Sequence, residues 1–247
     1  MKNTPFFLSI LSLAIASTSA QAELALGVGI AGYLNPQKGL DIREQAFPMI
    51  SYTGDRLSFQ FTTLTYRLAS VGDLQINALA SVRSQGYDSK NSQYLTGMKD
   101  RKDTLDGGLG LDWKGINLSV SHDILSAHKG SEVSLSYNHG FDLGKLQLSI
   151  GGGVNWQSKE LTNYYYGVNA AEAKTLMVDG KIFNRIAYHV KSDCIPKANI
   201  FMHYALTDSW SLISGAEINF LPQNITNSPI VDGNISWGAF AGIARSF

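Results

Sequence analysis

Cysteine is almost missing from this chain: one residue, Cys194, in 247. A single thiol cannot form an internal disulfide, so no covalent staple supports the fold. Cys194 lies between Asp193 and Ile195-Pro196, without the histidine signature of a catalytic thiol, and reads as incidental. Long apolar runs are missing too. No stretch reaches the roughly 18 consecutive apolar residues of a transmembrane helix. Charge is sparse and balanced, 20 basic against 20 acidic residues with only 16% charged in all, which excludes the basic footprint of a nucleic-acid-binding protein. No helix-period stretch is long enough to propose a second domain.

The N-terminus points outside the cytoplasm. Lys2, the apolar stretch 6–16 and Ala20-Gln21-Ala22 follow the order of a secretory leader, which predicts cleavage before Glu23. Residues 1–22 are therefore expected to be a cleaved signal peptide and 23–247 a single domain. Residue 23 is Glu, so nothing suggests an N-terminal lipid anchor.

What is present is glycine, 24 residues, and 11% aromatics, in one short alternating segment after another. The closing stretch 235–247 sets the pattern. Ile235, Trp237, Ala239, Ala241 and Ile243 share one parity, Ser236, Gly238, Gly242 and Ala244 the other, and the chain stops on Phe247. A terminal aromatic closing such a strand is how bacterial outer-membrane barrels usually end, and it carries the signal read by the barrel assembly machinery. Similar alternation is expected at 24–33, 47–53, 56–67, 73–83, 104–113, 116–124, 131–140, 145–156, 161–169, 197–206 and 209–220. Between 84 and 103 it stops, as in a functional or mobile loop. A strand at 181–189 would make thirteen, an odd number for a bacterial barrel; it alternates worst and is set aside, leaving twelve.

Alternation alone allows a soluble sandwich. The polar parity decides against it, being mostly Gly, Ser, Asn and Gln where a solvated sheet would carry many Lys and Glu; small uncharged residues suit a crowded lumen. Trp113, Trp156, Trp210, Trp237, Tyr33, Tyr137 and Tyr204 fall near strand ends, as girdle residues would. The expected fold is an all-β, single antiparallel transmembrane β-barrel of about 12 strands in the outer membrane, in contact with its lipid.

Candidate chemistry is thin. Ser121, His122 and Asp123 are consecutive, but on a strand His122 faces away from the other two, so they form no triad. Asp100, Asp103 and Asp106 offer carboxylates for a hard cation, yet lack EF-hand spacing and read better as a solvated charged loop with Arg101 and Lys102. Arg83, Asp106, Asp112, Asp123, Glu132 and Glu217 share the lumen parity, where they either plug the barrel or line a narrow pore. No catalytic, cofactor-binding or metal-binding residue is assigned, and the chain is expected not to be an enzyme.

Several pieces, in order along the chain, carry a family resemblance: Asp41-Ile42-Arg43 with Phe47-Pro48 and Tyr52; Leu95-Thr96-Gly97-Met98 with Arg101; Tyr165-Tyr166-Gly167-Val168 with Glu172-Ala173; Tyr204 with Trp210; and Ser228-Pro229-Ile230-Val231. The chain resembles the MltA-interacting protein and OmpV family of Gram-negative outer-membrane proteins. It departs at Arg245, where the family commonly has an aromatic. The resemblance implies a scaffold linking a lytic transglycosylase to a penicillin-binding protein in peptidoglycan enlargement, with 84–103 and 170–196 as candidate contact surfaces. A small-solute or ion channel and a surface adhesin are the alternatives.

Overall fold

The computed structural model describes residues 23–247, and the expected signal peptide lies outside the described residues. Strand order follows the chain: β1 (Glu23–Leu34), β2 (Arg43–Thr53), β3 (Leu57–Gln60), β4 (Thr63–Val71), β5 (Leu74–Arg83), β6 (Thr104–Trp113), β7 (Ile116–Asp123), β8 (Ser131–Leu143), β9 (Leu146–Gln157), β10 (Lys174–Val178), β11 (Lys181–Arg185), β12 (Asp193–Ala205), β13 (Trp210–Phe220) and β14 (Ile235–Ser246). Twelve of these close an antiparallel barrel in which β14 returns to β1. β10 and β11 form a separate hairpin inside the connection from β9 to β12, which pair directly.

The expected twelve strands are met by a different set. Residues 161–169 are not a strand; the segment begins in α1 (Lys159–Tyr166), whose Leu161, Thr162, Tyr165 and Tyr166 share a buried face at i, i+4 spacing. The stretch 56–67 is two strands, because Phe61 adopts φ 54° and turns the chain back between β3 and β4. Residues 181–185 are a strand after all, but one that pairs only with β10. Asp179-Gly180, both at positive φ, make its two-residue turn, a dipeptide typical of type I′ hairpins.

Parity separates lipid from lumen. On β1 Leu24, Leu26, Val28 and Ile30 are exposed, while Ala31 and Tyr33 are buried. Exposed rows of this kind are stable only against hydrocarbon. Trp113, Trp156, Trp210, Tyr137 and Tyr204 also face outward, as expected of girdle residues. Tyr33 does not: it is buried, and its hydroxyl accepts from Arg43 Nη1 at 2.9 Å.

The two ends of the barrel differ. The short turns 54–56, 72–73, 114–115, 144–145 and 206–209 share one end with both ends of the barrel sheet. The long connections 35–42, 84–103, 158–192 and 221–234 share the other. In outer-membrane barrels the short turns face the periplasm and the long loops the exterior. Segments 84–103 and 170–192 therefore lie on the outer side.

Candidate functional site: the loop cap and the lumen

The outer loops fold together into a core of their own. Leu95, Leu161, Ile225 and Ile230 are fully buried there among Tyr87, Met98, Tyr165, Tyr166, Val168, Val190, Leu221 and Val231. Burial of this much apolar surface makes the loops one body. Buried polar groups then need partners inside it. Arg185, 1% exposed, donates to the carbonyls of Tyr94 (2.6 Å), Thr96 (2.9 Å) and Glu172 (2.8 and 3.0 Å), so one guanidinium holds two loops. Arg101 Nη2 meets both carboxylate oxygens of Glu172 at 3.0 Å. Gln37 Nε2 donates to Tyr165 O at 3.1 Å and Ser228 Oγ to Tyr166 O at 2.6 Å, which brings in the first and last outer loops.

Carboxyl groups in the cap are tuned by where they sit. Asp100 is held below its ordinary range, chiefly by the Ser89 backbone N–H and also by the Ser89 hydroxyl, at 2.8 and 2.9 Å. Asp103 moves the other way: burial raises it, although Gly86 N donates to Oδ1 at 2.9 Å.

Below the cap the lumen is divided. Its polar half centres on Arg83, which meets Asp106 at 2.7 Å and Glu132 at 3.2 Å, with Gln157 Nε2 on the same Glu132 oxygen at 2.8 Å. Asn77 donates to Asp112 at 2.5 Å, and Lys197 lies 3.8 Å from Glu217. These residues line a cavity of about 330 Å³ running from Thr53, Arg56 and Leu57 at the short-turn end to Tyr166, Ile195 and Leu221 under the cap. Tyr166, Ile195 and Leu221 also belong to the cap core, so the loops form the cavity's outer wall. The other half is apolar, with Ala31, Met49, Phe201 and Phe240 buried against Phe47, Phe61 and Ile213.

Of the charged residues expected in the lumen, Arg83, Asp106 and Glu132 join one network, while Asp112 and Glu217 make separate pairs. Asp123 is buried beside His128 at the top of β7, accepting from the backbone N–H of Leu125, His128 and Lys129 at 2.6 to 2.9 Å. The three loop aspartates do not converge: Asp100 is on Ser89, Asp103 on Gly86 and Asp106 on Arg83. Ser121 and Asp123 face inward while His122 is exposed and bonded to Ser131 Oγ at 2.9 Å. That split keeps Ser121 and Asp123 from joining His122, whose hydroxyl partner is Ser131 and which has no carboxylate bonded to it among the hydrogen bonds of the described residues.

Sequence reading missed the grouping of Asp106, Asp123 and His128. Its ligand atoms are already occupied. His128 Nδ1 accepts from Gly130 N at 2.9 Å, so Nε2 carries the proton and donates to Asp106 at 3.2 Å, and Asp123 is filled by backbone donors. The group clasps the 124–130 turn.

The chain is similar to known outer-membrane proteins along nearly its whole length. A family model described as MltA-interacting protein MipA matches residues 26–247. Outer membrane protein Omp26La of Vibrio anguillarum is 31% identical over 89% of this chain and 85% of its own. OmpV of Vibrio cholerae is 30% identical over 92% and 88%, and the MltA-interacting protein of Escherichia coli 24% identical over 92% of each.

Proposed function

The chain belongs to the MltA-interacting protein MipA family and is an outer-membrane β-barrel; from that premise we propose that it is a non-enzymatic interaction protein whose outer mouth is shut. The carrying observation is the cap, in which residues from three loops bury a common core directly over the lumen. An open diffusion pore keeps a water-filled channel through its mouth. The separation of His122 from Ser121 and Asp123 supports the non-enzymatic reading.

The family and one relative's name, MltA-interacting protein, support a lytic transglycosylase as the partner; a penicillin-binding protein beside it is part of the proposal. Enzymes of that kind act on peptidoglycan in the periplasm. Docking then falls to the short-turn rim and the cavity mouth beside Thr53 and Arg56, and the earlier candidates 84–103 and 170–196 are displaced to the outer face. The barrel assembly machinery would meet the chain at β14, next to the exposed Phe247.

The test is a crosslinking pull-down from intact cells. A lytic transglycosylase should be recovered with the native protein, lost with Asp55→Lys plus Arg56→Glu on the rim, and kept with Lys174→Glu plus Lys181→Glu on the outer hairpin. Recovery unchanged by the rim pair, or absent from correctly inserted protein, sinks the scaffold. The 330 Å³ cavity favours a second reading, a gated channel; steady ohmic current from native protein in a planar bilayer would replace the first reading with that one. Host-surface binding lost with the outer pair would support an adhesin instead.

A further inference from the structure

Positive charge gathers at the short-turn mouth of the lumen. The backbone N–H of Arg67 on β4 donates to the carbonyl of Arg56 at 2.7 Å, and Leu57 faces Tyr66 in the β3–β4 register. The two arginines therefore stand directly opposite each other, and both line the cavity of about 330 Å³. Like charges facing each other across a strand pair are destabilising. A β-bulge follows at once: Arg67 pairs with Asn77 but Ala69 with Ile76, which leaves Leu68 as the extra residue. Bulges re-aim the side chains beside them.

The chain supplies no counterion to this pair. Among the described residues no ion pair includes Arg56 or Arg67, and Arg67 Nε is shut off from solvent without a hydrogen-bond partner. The carboxylates that share the cavity are engaged elsewhere: Asp106 and Glu132 on Arg83, Glu217 beside Lys197, and Asp112 on Asn77. β3 and β4 themselves contain no acidic residue. Their next cavity-lining pair is Ser58 facing Thr65, so two hydroxyls stand beside the arginines.

We propose that Arg56 and Arg67 hold the oxyanion group of a small solute, a carboxylate or a phosphate, with Ser58 and Thr65 offering hydroxyl donors next to it. A guanidinium presents a planar fork that fits either oxyanion, and a shared anion turns a repulsive pair into one site. The cavity falls at the lower end of the size range of small-molecule pockets, which admits a compact anion and excludes a polymer. The cap walls the opposite end, so the solute enters between the short turns. This site needs no docked enzyme and stands apart from the scaffold reading.

The test is isothermal titration of the purified native protein in nonionic detergent with inorganic phosphate and, separately, with succinate, at constant ionic strength. The expected result is saturable binding of at least one probe, weakened roughly tenfold or more by Arg67→Gln and by Arg56→Gln. Lys181→Gln on the outer hairpin should leave it unchanged. Thermal unfolding is the second readout. Without added anion each arginine variant should be at least as stable as the native protein, and the bound probe should raise the midpoint of the native protein alone. Binding of phosphate only would assign the site to a phosphate-bearing solute, and of succinate only to a carboxylate-bearing one. Neither probe binding by heat or by midpoint, or binding that survives both arginine variants, would overturn the proposal. Equal weakening by Lys181→Gln would overturn it too, by reducing the effect to net charge. Recovery of a transglycosylase in the pull-down is independent of every one of these outcomes.

Discussion

Arg83 Nη2 stands 2.7 Å from Asp106 Oδ2, and the same guanidinium reaches Glu132 Oε2 at 3.2 Å. One cation thus ties β5, β6 and β8 through two carboxylates that are themselves nearly buried. Removing one partner of a buried ion pair leaves an uncompensated charge, which costs more than the pair contributes. Arg83→Ala should destabilise the folded barrel by ~3–5 kcal/mol. Urea unfolding in lipid vesicles measures it. A loss within the ~0–1 kcal/mol of a solvated surface pair would mean that lumen water already screens the cluster.

Arg185 holds the cap through backbone carbonyls alone, two of them in the 84–103 loop. Arg185→Met keeps much of the buried stem and removes every donor. Its expected effect is local: faster proteolysis within 84–103 and 170–192, together with current steps in planar bilayers where the native protein gives none. If the loops stay protected, the apolar core around Leu95 and Leu161 is sufficient to hold the mouth shut.

The wall was far more legible in the sequence than the cap. A strand in a barrel wall has only two environments, lipid and lumen, so Leu24, Leu26, Val28 and Ile30 declare their face by parity alone. Cap residues have no such period. Leu95, Leu161, Ile225 and Ile230 meet from three separate loops, and nothing local marks Tyr164-Tyr165-Tyr166 as helical until Tyr165 and Tyr166 are seen packed beneath the loops. Two errors in the strand set, 161–169 and the break at Phe61, cancelled in the count. One missed element did leave a signal: Asp179-Gly180 specifies the turn of the β10–β11 hairpin. The clasp at His128 left none, since its partners Asp106 and Asp123 come together only across the β6–β7 pair.

Acid should loosen the 84–103 loop through Asp100. Its carboxyl is held below the ordinary range, first by the Ser89 N–H and second by the Ser89 hydroxyl. A lowered folded value means stabilisation that is present above the unfolded value near ~3.9 and is lost as the pH falls through the folded one. Asp103 has the opposite sign. Burial raises it, so its charged form is the disfavoured one and protonation relieves that cost at a higher pH than Asp100 titrates. Ser89→Ala should move Asp100 only part of the way back up, because the backbone donor remains. Carboxyl-carbon NMR titration distinguishes this from a full return, which would assign the whole effect to the hydroxyl.

Gly215 makes room for an aromatic ring. A Cβ built at this position of β13 would fall 2.7 Å from Phe240 Cε1, in the middle of the apolar half of the lumen. Phe240 cannot simply withdraw, because Phe61 stands 4.9 Å away on one side and Phe201 6.3 Å away on another. Gly215→Ala should therefore cost ~1–3 kcal/mol through overpacking. Gly140 on β8 is the control: a Cβ there meets nothing within 4 Å and its φ is not positive. Gly140→Ala should be neutral or slightly stabilising, since alanine leaves the unfolded chain fewer conformations to lose. Paired urea unfolding of the two variants in vesicles decides the matter. Equal stabilities would mean that the Phe cluster shifts freely to absorb a methyl group, and that the apolar half of the lumen is looser than its ring contacts indicate.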